Sequence, residues 1–141
     1  MNYLLDTCAI SDLVARAPDP GLVAWIDGVE EDQLYLCAIS IGEIQKGIHK
    51  LEASPRRQAL AEWLEGELLA RFRGRILAID VEVMLAWGAL VADLEQRGRP
   101  MPAIDSLLAA VAVQNGLTLV TRNEGDFLHS GVPVLNPWKG G

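Results

Sequence analysis

The chain has 141 residues, half of them hydrophobic, and a formal net charge of −7. That length makes a single domain, residues 1–141, able to bury about two-thirds of its unfolded surface. The composition excludes a disordered chain, no apolar run approaches the roughly 20 residues that span a bilayer, and the negative charge argues against broad electrostatic binding of nucleic acid.

Asn2 and Asp6, with no basic residue around them, argue against a secretory signal at the amino terminus. Tyr3 to Leu5 is a short apolar run that stops at the Asp6 carboxylate, and Thr7 to Val14 reads as a helix. An Asp at the carboxyl end of a buried strand stands where open α/β sheets put their ligands. Asp19-Pro20 reads as an N-cap followed by Pro at the first helical position, with Leu22, Trp25, Ile26 and Val29 at helical spacing. Gln33 to Ala38 is a near-continuous apolar run, as expected of a strand covered on both faces. Ser40 is expected to open a helix with Ile41, Ile44, Ile48 and Leu51 on one face. Ser54-Pro55 repeats the cap-and-proline signal before Leu60, Trp63, Leu64 and Leu68, and Gly74 follows that helix.

Ile76 to Ile79 reads as a third strand, and Asp80 as the cap of a helix through Val81, Met84, Leu85, Gly88, Val91 and Ala92 that Gly98 ends. After the connector Arg99-Pro100-Met101-Pro102, Ala103 to Asn115 is an Ala- and Leu-rich helix stopped by Gly116. Leu117 to Thr121 and Val132 to Leu135 supply two more strands, and Pro133 puts the last at an edge. Strands alternating with helices imply a parallel, right-handed α/β sheet. Cys8 and Cys37, without CxxC spacing, read as buried free thiols in a reducing compartment, which places the chain in the cytoplasm.

Four stretches carry possible chemistry, and each also has a structural explanation. Asp6 points a carboxylate into the crevice above the sheet, with Thr7 as an extra oxygen, or caps the first helix. Glu43 stands three residues after Ser40, the spacing of a capping box, and a Glu near a helix start can also face a cleft. Asp105 lies in the first turn of an otherwise apolar helix, where the helix dipole favours an acid by about 0.3–1 kcal/mol. Thr121-Arg122-Asn123-Glu124-Gly125-Asp126 crowds two carboxylates, an amide and a hydroxyl behind a strand, or is a solvated polar turn. Taken together, Asp6, Glu43, Asp105 and Asp126 fall at strand ends and helix starts across the whole chain. Oxygen donors without a His or Cys cluster suit hard cations, Mg²⁺ or Mn²⁺, and not Zn²⁺. A cation so held lowers the pKa of a water and clamps a phosphodiester for in-line attack.

In order along the chain, Leu5-Asp6-Thr7, Ser40-x-x-Glu43, Gly98 to Pro102 leading into Asp105-x-x-x-Ala109-Ala110, and Thr121-Arg122-Asn123-x-x-Asp126-Phe127 resemble the PIN-domain nucleases. Within them the chain looks most like the VapC-type toxins of type II toxin–antitoxin pairs, and Gly131 to Trp138 resembles the ending of their FitB-like members. The resemblance implies a three-layer α/β/α fold whose five-stranded parallel sheet is ordered 3-2-1-4-5. It implies an endoribonuclease site on Asp6, Glu43, Asp105 and Asp126 with Mg²⁺, supported by Thr7, Thr121 and Asn123. It also implies RNA as substrate, a cognate antitoxin, a toxin homodimer and no membrane association. The antitoxin is expected to place an Arg in the acidic pocket and to lie beside helices 41–51 and 56–72. Cys8 departs from the Asn of many members, and a thiol is a poor ligand for a hard cation.

Haloacid-dehalogenase phosphatases need a second Asp where this chain has Cys8. Receiver domains need an acid adjacent to Asp6 and a Lys after the last strand, and this chain offers only Lys139, near its end. A PIN-like scaffold that acts only by binding its partner is the non-enzymatic alternative.

Overall fold

The computed structural model describes residues 1–138; Lys139 lies outside the described residues. Five parallel strands, β1 (Tyr3–Leu5), β2 (Leu34–Cys37), β3 (Ile76–Leu77), β4 (Thr118–Val120) and β5 (Val134–Leu135), form one sheet in the order β3-β2-β1-β4-β5. That is the expected order. It makes β1 central, with Tyr3 in register with both Leu34 and Thr118, and Leu5 beside Val120.

Successive side chains of a strand leave opposite faces, so Leu4 and Leu5, both fully buried, enter two different cores. Leu5 joins Ile10, Leu22, Leu36, Ile44 and Leu64 under α1 (Thr7–Leu13), α2 (Pro20–Asp27), α3 (Ala38–His49) and α4 (Pro55–Glu62). Leu4 joins Val83, Leu108, Leu119 and Phe127 under the second helical layer. That layer is α6 (Val81–Gln96) and α7 (Ala103–Gln114). Chain runs through the short α5 (Leu69–Arg71) before reaching β3. Truncating either Leu to Ala at such sites costs about 2–5 kcal/mol.

Local signals set most boundaries. Asp19 accepts from the Gly21 and Leu22 N–H groups, Ser54 from Arg57 and Asp80 from Val83, each as the expected N-cap. Gly98 sits at φ 68° beyond α6, and the Arg99 N–H returns 2.8 Å to the Leu94 carbonyl, a closing bond that a β-carbon at Gly98 would strain. Gly21 is required by close approach: a β-carbon there would lie 2.6 Å from the Pro137 carbonyl oxygen. The carboxy-terminal segment therefore lies against α2, and Trp138 Nε1 donates to Asp12 Oδ2 at 3.2 Å.

The structure corrects four expectations. Strand β2 passes directly into α3, which starts at Ala38 with Cys37 as an uncapped N-cap. Ser40 thus lies inside the helix, fully buried, with Oγ unpartnered, and no capping box forms with Glu43. At that start the Ile39 and Ser40 N–H groups meet the Cys37 thiol, a weak acceptor in place of a hydroxyl or carboxylate cap. Leu51 falls beyond α3 and is 41% exposed, off the apolar face expected to include it. The helix after Ser54 is not regular: Trp63–Leu68 forms a π-helical segment between α4 and α5. Cys37 is buried as expected, but Cys8 is only half-buried, and both thiols are free. No helix among the described residues is long and apolar enough to cross a membrane.

Candidate active site

Asp6 ends β1 beside the end of β4 and is 6% exposed. Its Oδ1 accepts from the Thr7 N–H at 2.7 Å, so it does cap α1. Its Oδ2 accepts from Thr121 Oγ at 2.8 Å. Capping and site roles coexist, because Oδ1, which accepts the Thr7 N–H, keeps a lone pair for another ligand. Thr121 is fully buried and its hydroxyl also accepts from the Asn123 N–H at 3.1 Å. The sheet order thus joins two residues 115 positions apart.

Thr7 does more than supply an oxygen. Its hydroxyl donates to Glu43 Oε1 at 2.5 Å, tying the start of α1 to the second turn of α3. Nothing local in the sequence announces this pair, which spans 36 positions. Cys8 Sγ lies 3.7 Å from both Asp6 Oδ2 and Thr121 Oγ. Burial raises the thiol's pKa, the Arg122 backbone N–H counters it, and the charge of Asp6 raises it further.

Asp105 lies in the first turn of α7, half-buried, where the sequence placed it. Burial holds its carboxyl above the usual carboxylate range, and the charges of Asp6, Asp126 and Glu43 push in the same direction. The other three acids therefore lie within electrostatic reach of Asp105. Asp126 is exposed on the 3₁₀ turn Glu124–Phe127, which the fully buried Phe127 anchors to the core. Asn123 contributes through its backbone, donating to Thr121 and accepting from the Asp126 N–H at 3.1 Å.

Two cavities flank the acids. On the Glu43 side, a groove of about 280 Å³ is lined by Thr7, Glu43, Ile44, Gly47, Arg56 and Trp63. It joins helix 38–49 to the 55–71 helical stretch, where the partner groove was expected, and shares Trp63 with a deeper apolar cavity against Leu5 and Phe72. On the Asp126 side, a cleft of about 220 Å³ lies between Arg99, Met101 and Pro102 on one wall and Gly125, Asp126 and His129 on the other.

The donor chemistry fits a hard divalent cation: the four acids and Thr7 offer oxygen alone. Like carboxylates repel by about 4 kcal/mol per pair at 4 Å and an effective dielectric near 20, consistent with the raised pKa of Asp105. Among the described residues, no three acidic, His or Cys side chains stand together in a ready-made metal cage. What links the acids is charge: those of Asp6, Asp126 and Glu43 are all felt at Asp105.

The PIN domain family matches residues 3–130 of this chain. The chain is 35% identical over 136 residues to the VapC ribonuclease Y4jK of Sinorhizobium fredii, covering 96% of this chain and 97% of that protein. It is 36% identical over 135 residues to the toxin FitB of Neisseria gonorrhoeae, covering 96% and 97% respectively. The crystal structure of FitAcB from Neisseria gonorrhoeae has the same fold, with a TM-score of 0.93 at 35% identity over 97% of this chain and 99% of that one. A sheet ordered 3-2-1-4-5, an acid at its central strand end and this relatedness over nearly the whole length agree: the chain belongs to the PIN-domain family, among its VapC and FitB-like members.

Proposed function

We propose that the chain is the toxin of a toxin–antitoxin pair, an endoribonuclease that hydrolyses RNA phosphodiesters with Mg²⁺, which Mn²⁺ can replace. What supports this reading is Asp6 at the end of β1 beside β4, with the charges of Asp6, Asp126 and Glu43 all felt at Asp105, in a relative of proteins named ribonucleases.

Asp6, Glu43, Asp105 and Asp126 are the residues that would hold the cation. Bound there, it would supply Lewis acidity for activating water and charge to neutralise the phosphodiester. The chain's own contribution is orientation. Thr7 N–H and Thr121 Oγ fix the Asp6 carboxylate, and Thr7 Oγ fixes that of Glu43. Asp105, with its raised pKa, holds a proton at its carboxyl more readily than an ordinary Asp and releases it when positive charge enters the site.

The cognate antitoxin is the protein partner. Its seat is the groove between α3 and the 55–71 stretch, where apolar Ile44, Ile48, Leu60 and Trp63 lead to Glu43. That geometry suits an apolar segment ending in an Arg directed at the acids. A homodimer would use the exposed Val81 and Leu85 of α6, which are 72% and 66% exposed.

Expression without a partner should arrest growth, and Asp6→Ala at equal folded level should relieve it while antitoxin binding persists. Equal toxicity of Asp6→Ala would remove the catalytic reading and leave the partner-binding scaffold.

A further inference from the structure

We propose that the cleft on the Asp126 side is a subsite for single-stranded RNA, in which Arg99 takes a backbone phosphate and His129 with Met101 takes the adjoining base. This rests on the ribonuclease reading above and adds where the strand lies.

The acids cannot bind RNA by themselves, because phosphates and carboxylates repel. A cleavage site of net negative charge therefore needs cations placed just outside it. The cleft shares Asp126 with the acid group and carries Arg99 and His129 on facing walls. Arg99 is exposed and makes no side-chain hydrogen bond or ion pair among the described residues. Arg97, two positions earlier, is committed: it donates to Asp93 Oδ2 at 3.0 Å and to the His129 carbonyl at 2.8 Å. That second bond ties the end of α6 to the loop carrying His129, so the two walls are fixed to each other.

The walls are also stiff. Gly98 at φ 68° turns the chain sharply out of α6, and Pro100 and Pro102 each lock one backbone torsion of the connector. Opposite, Ser130 Oγ donates to the Phe127 carbonyl at 2.7 Å, and the buried Phe127 holds the turn. A preformed cleft binds with little ordering cost.

The chemistry suits RNA. An Arg guanidinium pairs bidentately with phosphate, and bases splayed from single strands stack on His and apolar side chains. The half-buried Met101 supplies an adaptable apolar floor. The groove on the Glu43 side is unlike this: it is mostly aliphatic and aromatic, with Arg56 its cationic residue.

The test uses Asp6→Asn protein, which keeps the cap and cannot turn over its ligand, and a fluorescent mixed-sequence single-stranded RNA 12-mer. Kd is measured by anisotropy across a salt series. Arg99→Gln should weaken binding about fivefold at low salt and reduce the slope of log Kd against log salt by about 0.7, the value for one phosphate contact on a single strand. His129→Ala should weaken binding about tenfold, within the range for one lost stacking partner, and leave the slope unchanged. Arg73→Gln, an exposed cation elsewhere, should change neither and so exclude a general charge effect.

Digestion of total cellular RNA by wild-type protein separates the two levels of inference. Cleavage that vanishes in Asp6→Asn, with Kd and slope unmoved in both cleft variants, overturns the subsite and spares the ribonuclease reading. No cleavage by wild type, or cleavage that survives Asp6→Asn, overturns both. Loss of antitoxin binding in place of RNA binding assigns the cleft to the protein partner and also overturns the subsite.

Discussion

The two hollows beside the acids differ in the chemistry of their walls. The Glu43-side groove is walled by α3, Trp63 and Leu60 and shares Val14 and Trp63 with the cavity lined by Leu5. The Asp126-side cleft is walled by two loops and presents Arg99 and His129. One is a gap between packed helices, which an apolar segment of another protein can fill. The other is a charged slot, which a polyanion can enter. Glu43 lines one hollow and Asp126 the other. On the proposed assignments, the antitoxin and the RNA approach the acids by different walls, one lined by Glu43 and the other by Asp126.

Asp105→Asn should have the largest effect. It removes a charge that would hold the cation, and losing several kcal/mol of charge stabilisation cuts cleavage about 10²-fold or more. The same change should act the other way on the metal-free fold. Because the folded-state pKa of Asp105 is raised above its ordinary 3.8, the folded state binds that proton more tightly than the unfolded state. Stability from this group is full below pH 3.8 and is lost as pH rises through the folded value. Metal-free Asp105→Asn should melt slightly above wild type at pH 7, with the gap closing as pH falls through the acid range. A lower melting point at pH 7 would mean that the Asp105 charge is not a strained one.

The comparison of hollows sharpens at Gly47. A β-carbon there would meet nothing within 4 Å, and Gly47 lines the proposed partner groove. Gly47→Leu should stabilise α3 by about 0.5–1 kcal/mol through lost chain entropy and fill the groove. Antitoxin affinity, measured by calorimetry, should fall at least about tenfold, while RNA cleavage stays at the wild-type rate. A parallel fall in cleavage would mean that the two hollows are not independent.

Ser40→Ala should have the smallest effect. Removing a buried hydroxyl that has no partner is neutral or stabilising by up to about 1 kcal/mol, read as the chemical-denaturation midpoint. A loss of about 1 kcal/mol would restore the capping role.

That last residue shows where the sequence could be read and where it could not. Asp19, Ser54 and Asp80 were legible as caps because each satisfies N–H groups two or three residues away. Ser40 and Glu43 carry the same local spacing, but the strand passes into the helix two residues earlier, and that depends on how β2 seats in the sheet. Asp6 behind a strand and Asp105 in the first turn of a helix were legible, since those are local features, whereas Glu43 lies a turn deeper in α3 than its spacing from Ser40 indicated. The Thr7–Glu43 bond was not, because it joins segments that only the fold brings together. The π-helical segment at Trp63–Leu68 left no signal in the apolar spacing.

Cleavage of RNA by the purified chain as a function of added Mg²⁺, after exhaustive chelation, bears most directly on the site. The account predicts no cleavage in chelator, a saturable return with millimolar Mg²⁺ or Mn²⁺, and no return in Asp6→Asn, whose amide can still cap α1 but brings no charge. Cleavage of equal rate in chelator and in Mg²⁺, or full recovery in Asp6→Asn, would contradict it.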